Sequence, residues 1–264
     1  MISFTVAQLE TLLAVIGWPF VRIAAFIAVE PVLGNRTVPT RVKIGLAMMI
    51  AFVVSPTLPD GPVVPPASAA GVLVLIQQVI IGVAMGFAAR IVVAAAEMAG
   101  QLAGLQIGLG FAVFFDPVGS GQTPVVAQFY GLIAILTLLA TNGHYVYLQA
   151  LAESFRTLPI SPDPMSAVGF RTLVLWGGEI FRTGLTMALP VVGALLAANV
   201  AVGILTRAAP QLNLFAVGFP VTLALGFLMF YWSLPLIVPM IDHLGQQGAG
   251  VMMRVLEQLR PVTP

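Results

Sequence analysis

Long apolar runs separated by short polar ones set the pattern of this chain. Thr11–Val29 is apolar around a single charge, Arg22, and Gly71–Ala89 is apolar around Gln77 and Gln78. Leu185–Thr206 and Phe215–Ile241 are longer still. A bilayer crossing needs about 20 such residues, so these four segments predict membrane helices. Val125–Thr141 is marginal, and Ile44–Val54 is apolar but short. The predicted class is all-α and integral to a membrane. Pro56-Thr-Leu-Pro-Asp-Gly-Pro and Pro65-Pro66 mark a loop.

Two stretches break the pattern. Ile91–Phe115 is apolar but rich in Gly and Ala, with Ala96, Gly100, Gly104 and Gly108 every four residues. That spacing lines one helix face with small side chains and lets another backbone approach, either within the chain or from another subunit. Glu153–Arg182 holds Glu153, Arg156, Asp163, Arg171, Glu179 and Arg182. Glu153/Arg156 and Glu179/Arg182 are spaced to meet on helix faces. Pro159, Pro162 and Pro164 interrupt the middle, which reads as a polar connection between two helical parts.

Composition sharpens this picture. Of 264 residues, 59% are hydrophobic and 8% charged, against about 25% charged in soluble domains. The mean hydropathy is +1.03. A net charge of +1 gives no nucleic-acid signature. Zero cysteines exclude disulfides and thiolate chemistry. The first apolar segment lacks a basic leader and reads as an uncleaved helix. Arg36, Arg41 and Lys43 place the first loop in the cytoplasm, whereas six simple spans would put the basic tail, with Arg254 and Arg260, outside. Some apolar segments are therefore expected not to cross, Ile44–Val54 and Ile91–Phe115 foremost.

Candidate chemistry is sparse. His144 and His243 are far apart, no metal-ligand cluster or phosphate loop is written in the chain, and Gly108-Leu-Gly110 lacks the third glycine of a dinucleotide site. No enzyme activity, cofactor or metal is expected. Arg22, Arg90 and Glu97 are costly charges within apolar segments. Arg90 and Glu97 are seven apart on one face, open to a proton relay, a structural pair or a contact with another subunit. Arg22, beside Pro19, could snorkel. Gln77, Gln78, Asn142, Gln211 and Asn213 are polar groups beside long apolar stretches, which predicts poor stability of an isolated chain.

Four strings carry a family resemblance: Pro31-Val-Leu-Gly-Asn-Arg-Thr-Val-Pro-Thr-Arg-Val-Lys-Ile-Gly-Leu-Ala47; Glu97-Met-Ala-Gly-Gln101 through Gln106-Ile-Gly-Leu-Gly-Phe111 to Asp116-Pro117; Asn142-Gly-His144 with Ser154-Phe155 and Leu158-Pro159; and Thr206-Arg207-Ala-Ala-Pro210-Gln211-Leu-Asn213 with Gly218-Phe219-Pro220. They resemble FliR-type proteins of bacterial flagellar export, whose architecture related injectisome subunits share. The resemblance implies a channel-forming subunit of the inner-membrane export gate in the flagellar basal body. It implies assembly with FliP- and FliQ-type subunits, with FlhB- and FlhA-type proteins completing the apparatus, to pass unfolded flagellar cargo. It also implies a FliP-like part over about 1–184 fused to a FliQ-like hairpin and tail over about 185–264. Pro190, Pro220, Pro235 and Pro239 predict kinks in that hairpin. Phe111 and Phe114 match family positions forming an apolar pore plug, with Phe115 beside them. The competing reading is a self-contained secondary transporter using Arg22, Arg90 and Glu97.

Overall fold

The computed structural model describes residues 6–58, 64–109, 124–208 and 218–261, and the side chains of that set from residue 14 onward. Phe111, Phe114, Phe115, Gln211 and Asn213 lie outside the described residues. Helices dominate, with no strand among the described residues: α1 (Val6–Val29), α2 (Thr40–Val54), α3 (Ala69–Ile107), α4 (Val125–Ala140), α5 (Gly143–Thr157), α6 (Val168–Gly177), α7 (Glu179–Ala208) and α8 (Phe219–Gln258). Among the described residues, four helical segments are long and apolar enough to cross a membrane, or five if the bent α4–α5 pair counts as one span.

Gly71–Ala89 and Ile91–Phe115, which read as separate segments, join in the 39-residue helix α3. Arg90 sits inside it without a break. Ser68 starts it, its Oγ accepting the Gly71 N–H at 3.0 Å, a side-chain cap for an otherwise orphaned donor. Gly108, at φ 98°, ends it in a conformation that a side chain would strain. α2 alone is about 22 Å long at 1.5 Å per residue, short of the roughly 30 Å hydrocarbon core. The 3-10 turn Ser55–Thr57 extends it to an 18-residue apolar stretch. Between α4 and α5 the axis turns by 69°, and Asn142 takes up the turn in the left-handed region at φ 59°, which Asn tolerates better than most residues. α7 continues through Pro190, and α8 through Pro235 and Pro239. Pro220 belongs to the first turn of α8 rather than its interior; the missing N–H there has no helical partner to lose.

The chain divides into two compact units, Met1–Ile91 with Asn142–Gly177 and Gly245–Pro264, and Val92–Thr141 with Gly178–Leu244. The first has its core in Ile23, Phe26, Ile81, Met85, Tyr147, Phe155 and Met252; the second in Ala99, Ala103, Tyr130, Leu138, Val191 and Ile241. Neither unit follows chain order, because α3 and α8 each contribute to both.

Candidate functional site

Arg22 is fully buried in the first unit and does not snorkel. Its Nε donates to Gln78 Oε1 at 2.7 Å. One terminal nitrogen donates to the Ser154 carbonyl at 3.0 Å and to Ser154 Oγ at 3.1 Å. The other donates to the Leu158 carbonyl at 3.0 Å. The guanidinium carbon lies 4.3 Å from the centroid of the Phe155 ring. None of these partners is a carboxylate. The charge is met instead by carbonyls at the C-terminal end of α5, where the helix dipole is negative, and by a ring face. Ser154 Oγ in turn donates to the Leu151 carbonyl. The long planar fork of Arg reaches from α1 to α3 and the end of α5, which a Lys could not do.

The glutamines beside this hub are satisfied within the unit. Gln78 accepts from Arg22, and Gln77 Nε2 donates to the Asp163 carbonyl at 2.7 Å. Trp18 Nε1 donates to the Val64 carbonyl and Trp176 Nε1 to the Ala88 carbonyl. Sequence reasoning treated both Gln as liabilities because nothing local shows partners 86 and 56 residues away. It passed over Glu30, which is 3% exposed. Glu30 Oε2 accepts the N–H groups of Val32 and Leu33, closing the turn after α1. Burial raises the Glu30 carboxyl above the usual range; the backbone N–H groups of Leu33, Val32 and Gly34, and the nearby His144, pull it back.

In the second unit the small-residue face of α3 meets α4. A Cβ on Gly100 would lie 2.6 Å from the Val126 carbonyl and 2.7 Å from Ala127 Cα, so the two backbones touch. Gly104 is looser, with its nearest neighbour, Val126 Cβ, at 3.4 Å. Gly131 of α4 packs on the Glu97 side chain, and Gly184 of α7 on Ala95 and Met98. Arg90 and Glu97 each have an interaction within the protein. Gly82 and Gly86, which the sequence reading missed, play the same part in the first unit: a Cβ there would meet the α1 backbone at Arg22 and Phe26. Their four-residue spacing was the available signal. The α3–α4 contact at Gly100 lies just ahead of the segment that carries Phe111, Phe114 and Phe115. The predicted pairs Glu153–Arg156 and Glu179–Arg182 form at 3.5 Å and 3.2 Å.

Large apolar side chains also face outward. On α2 they include Met48, Met49, Phe52 and Val53; on α7 Leu189, Val200 and Ile204; on α8 Tyr231, Trp232 and Leu236. Only 17% of the most apolar 18-residue stretch is buried in each of Thr40–Thr57, Val168–Ala208 and Phe219–Gln258, against 67% in Ala69–Ile107.

Comparison with known proteins shows the family. Residues 13–248 match the family described as Bacterial export proteins, family 1. The flagellar biosynthetic protein FliR of Pectobacterium carotovorum is 46% identical over 242 residues, 92% of each chain. Its counterpart from Escherichia coli K12 is 39% identical over 98% of this chain and 99% of its own. The Bacillus subtilis 168 protein of the same name is 30% identical over 80% and 82%. With helical spans of this length and a family match over most of its residues, the chain belongs to the FliR-type family of bacterial export proteins.

Proposed function

We propose that this chain is a structural, channel-forming subunit of the flagellar type III export gate. It assembles with FliP- and FliQ-type subunits in the inner membrane at the basal body and passes unfolded flagellar proteins; FlhB- and FlhA-type proteins complete the apparatus. The supporting observation is the outward apolar surface of α2, α7 and α8, which are mostly unburied within their own chain. Such faces need lipid or other subunits over them. The test is co-expression with FliP- and FliQ-type partners and native mass spectrometry in mild detergent. A large hetero-oligomer is expected, and a stable lone monomer that ignores those partners overturns the reading.

Phe111, Phe114 and Phe115 form the pore plug in this proposal. An apolar constriction stops ions by dewetting. Replacing Phe111 and Phe114 together by Ala is expected to leave assembly intact and raise ion leak; a normally assembled double variant with wild-type leak rejects the plug. The transporter alternative leans on Arg22, but every guanidinium nitrogen of Arg22 already donates to the protein. That engagement favours the gate.

A further inference from the structure

The outward apolar faces differ in charge. α8 carries no charged residue from Phe219 to Ile241. α2 is headed by three cations, Arg36 in the turn before it and Arg41 and Lys43 in its first turn. No acidic residue occurs from Pro31 to Leu58. Glu30, just ahead of that stretch, is buried, and its Oε2 is engaged by the Val32 and Leu33 N–H groups. Arg36 and Arg41 are exposed, and neither pairs with a carboxylate among the described residues. Cations at the start of a helix oppose its dipole, so this cluster does not stabilise α2 by itself.

The cluster is held in place. Lys43 Nζ donates to the Gly34 carbonyl at 2.8 Å, which ties the preceding loop to α2. Asn35 Oδ1 accepts the Thr37 N–H at 3.0 Å and the Thr37 hydroxyl at 3.1 Å, closing the turn around Arg36. Past the cations, α2 turns Ile44, Met48, Met49, Phe52 and Val53 outward, each 45–67% exposed. Gly45 leaves a notch among them, since a Cβ there would meet nothing within 4 Å. Ile44 to Val53 runs about 14 Å at 1.5 Å per residue. That is close to one leaflet, half of the roughly 30 Å hydrocarbon core.

We propose that this face of α2 docks an anionic phospholipid. Its phosphate lies among Arg36, Arg41 and Lys43, and an acyl chain runs over Gly45 and along Met49 and Phe52. Arginine forks match phosphate oxygens in pairs, and Lys43 keeps two N–H donors beyond the one given to Gly34. Charge at one end only, followed by an uncharged apolar stretch of leaflet length, is the layout of a phospholipid. A helix from another subunit would need an acid at that same end and an apolar face for the rest. The docking does not depend on the gate: a chain acting alone in the membrane would hold the same lipid.

Two measurements test it. In the first, Met49 is replaced by photoreactive benzoylphenylalanine in the full chain, in bacterial membranes and with whatever subunits accompany it there. Cross-linking to phospholipid is expected, and cross-linking mainly to protein overturns the proposal. In the second, native mass spectrometry in mild detergent follows titration with phosphatidylglycerol or phosphatidylcholine. The wild type should prefer phosphatidylglycerol. Arg36→Gln and Arg41→Gln should each weaken phosphatidylglycerol binding about fivefold, the worth of one cation near an anionic surface, and leave phosphatidylcholine unmoved. Arg171→Gln, at an exposed arginine of α6, should change neither. Phe52→Ser should weaken both lipids alike, because it acts on the chain and not on the phosphate. All the substituted side chains are exposed, and circular dichroism verifies folding; the cross-link and the wild-type preference need no charge variant. Equal binding of the two lipids by the wild type overturns the proposal. So does a loss at Arg171→Gln as large as at Arg41→Gln, or no loss at Phe52→Ser.

Discussion

The two units share close glycine contacts and differ in the polar links that the first adds to them. In the first, polar side chains reach across to distant backbone: Arg22 to Ser154 and Leu158, Gln77 to Asp163, Trp18 to Val64 and Trp176 to Ala88. In the second, glycines bring backbones into contact, at Gly100 against α4 and at Gly184 against α3, and aromatic rings fill the remainder, with Phe230 5.3 Å from Tyr130 and 5.5 Å from Phe129. Apolar side chains gain little by leaving lipid for one another, so membrane helices associate through hydrogen bonds or through close packing of small residues. The first unit combines both solutions, with Gly82 and Gly86 packed on α1 beside its polar links, whereas the second relies on close packing.

The comparison is broken most severely at Arg22. Single hydrogen bonds between membrane helices average only about 0.6 kcal/mol. Arg22→Met, however, removes four at once and strands Gln78 Oε1 and the Leu158 carbonyl, while the Ser154 carbonyl keeps the Leu158 N–H. We expect destabilisation of about 2–4 kcal/mol, measured by denaturant unfolding in detergent. Arg22→Lys should recover only part, since an ammonium cannot span α3 and α5 together. Wild-type stability in Arg22→Met would mean that the first unit does not depend on polar links.

The corresponding lesion in the second unit is Gly100→Ala. The new methyl group would press on backbone atoms at 2.6 and 2.7 Å, and overpacking of that kind costs about 1–3 kcal/mol. Gly104→Ala meets only ordinary contact at 3.4 Å and gains up to about 1 kcal/mol of helix propensity, so it should be neutral or stabilising. Gly108→Ala should cost about 1 kcal/mol through its positive φ. Equal effects at Gly100 and Gly104, in unfolding and in partner co-purification, would remove close packing as the organising feature of that unit.

These contrasts bear on what was legible in the sequence. The helices were, because apolar run length is a local property: the marginal Val125–Thr141 became α4 almost residue for residue. The glycine ladder of α3 was visible as a four-residue repeat. What it packs against was not, since contact with α4 depends on the fold. The join at Arg90 was hidden because a charge looks like a boundary until its surroundings are known. Arg22 and Gln78 were conspicuous one at a time, but nothing in their spacing of 56 residues links them. Glu30 escaped notice because it follows the apolar run of α1 and resembles an ordinary helix-end carboxylate.

Glu30 also sharpens the comparison, because polar links respond to pH and glycine contacts do not. Burial is the largest influence on its carboxyl and pushes it up. An acid whose folded value lies above its unfolded one favours folding most while protonated. Its contribution is therefore complete below the unfolded Glu value of about 4.3 and is lost as pH rises from there through the raised folded value. Wild-type stability should decline across that window, and Glu30→Gln should flatten the decline. A rise in stability over the same range would reverse the sign and show that the backbone N–H groups outweigh burial.

The smallest effects are expected at the two exposed ion pairs, and they serve as the internal control. Glu153–Arg156 belongs to the first unit and Glu179–Arg182 to the second. Both have i,i+3 spacing, and their arginine side chains are 63% and 81% exposed. Water screens such pairs, and holding two long side chains together offsets most of the attraction, leaving about 0.2–0.5 kcal/mol. Arg156→Ala and Arg182→Ala should therefore each change unfolding by no more than about 0.5 kcal/mol, and by similar amounts, with the difference shrinking further in high salt. Their equality matters more than their size. If the two units differ in how buried contacts are made and in nothing else, a solvated pair should not register which unit it decorates. A loss above 1 kcal/mol at one arginine alone would show that its surface is covered, by lipid headgroups or a neighbouring subunit, and would locate that contact on α5 or on α7.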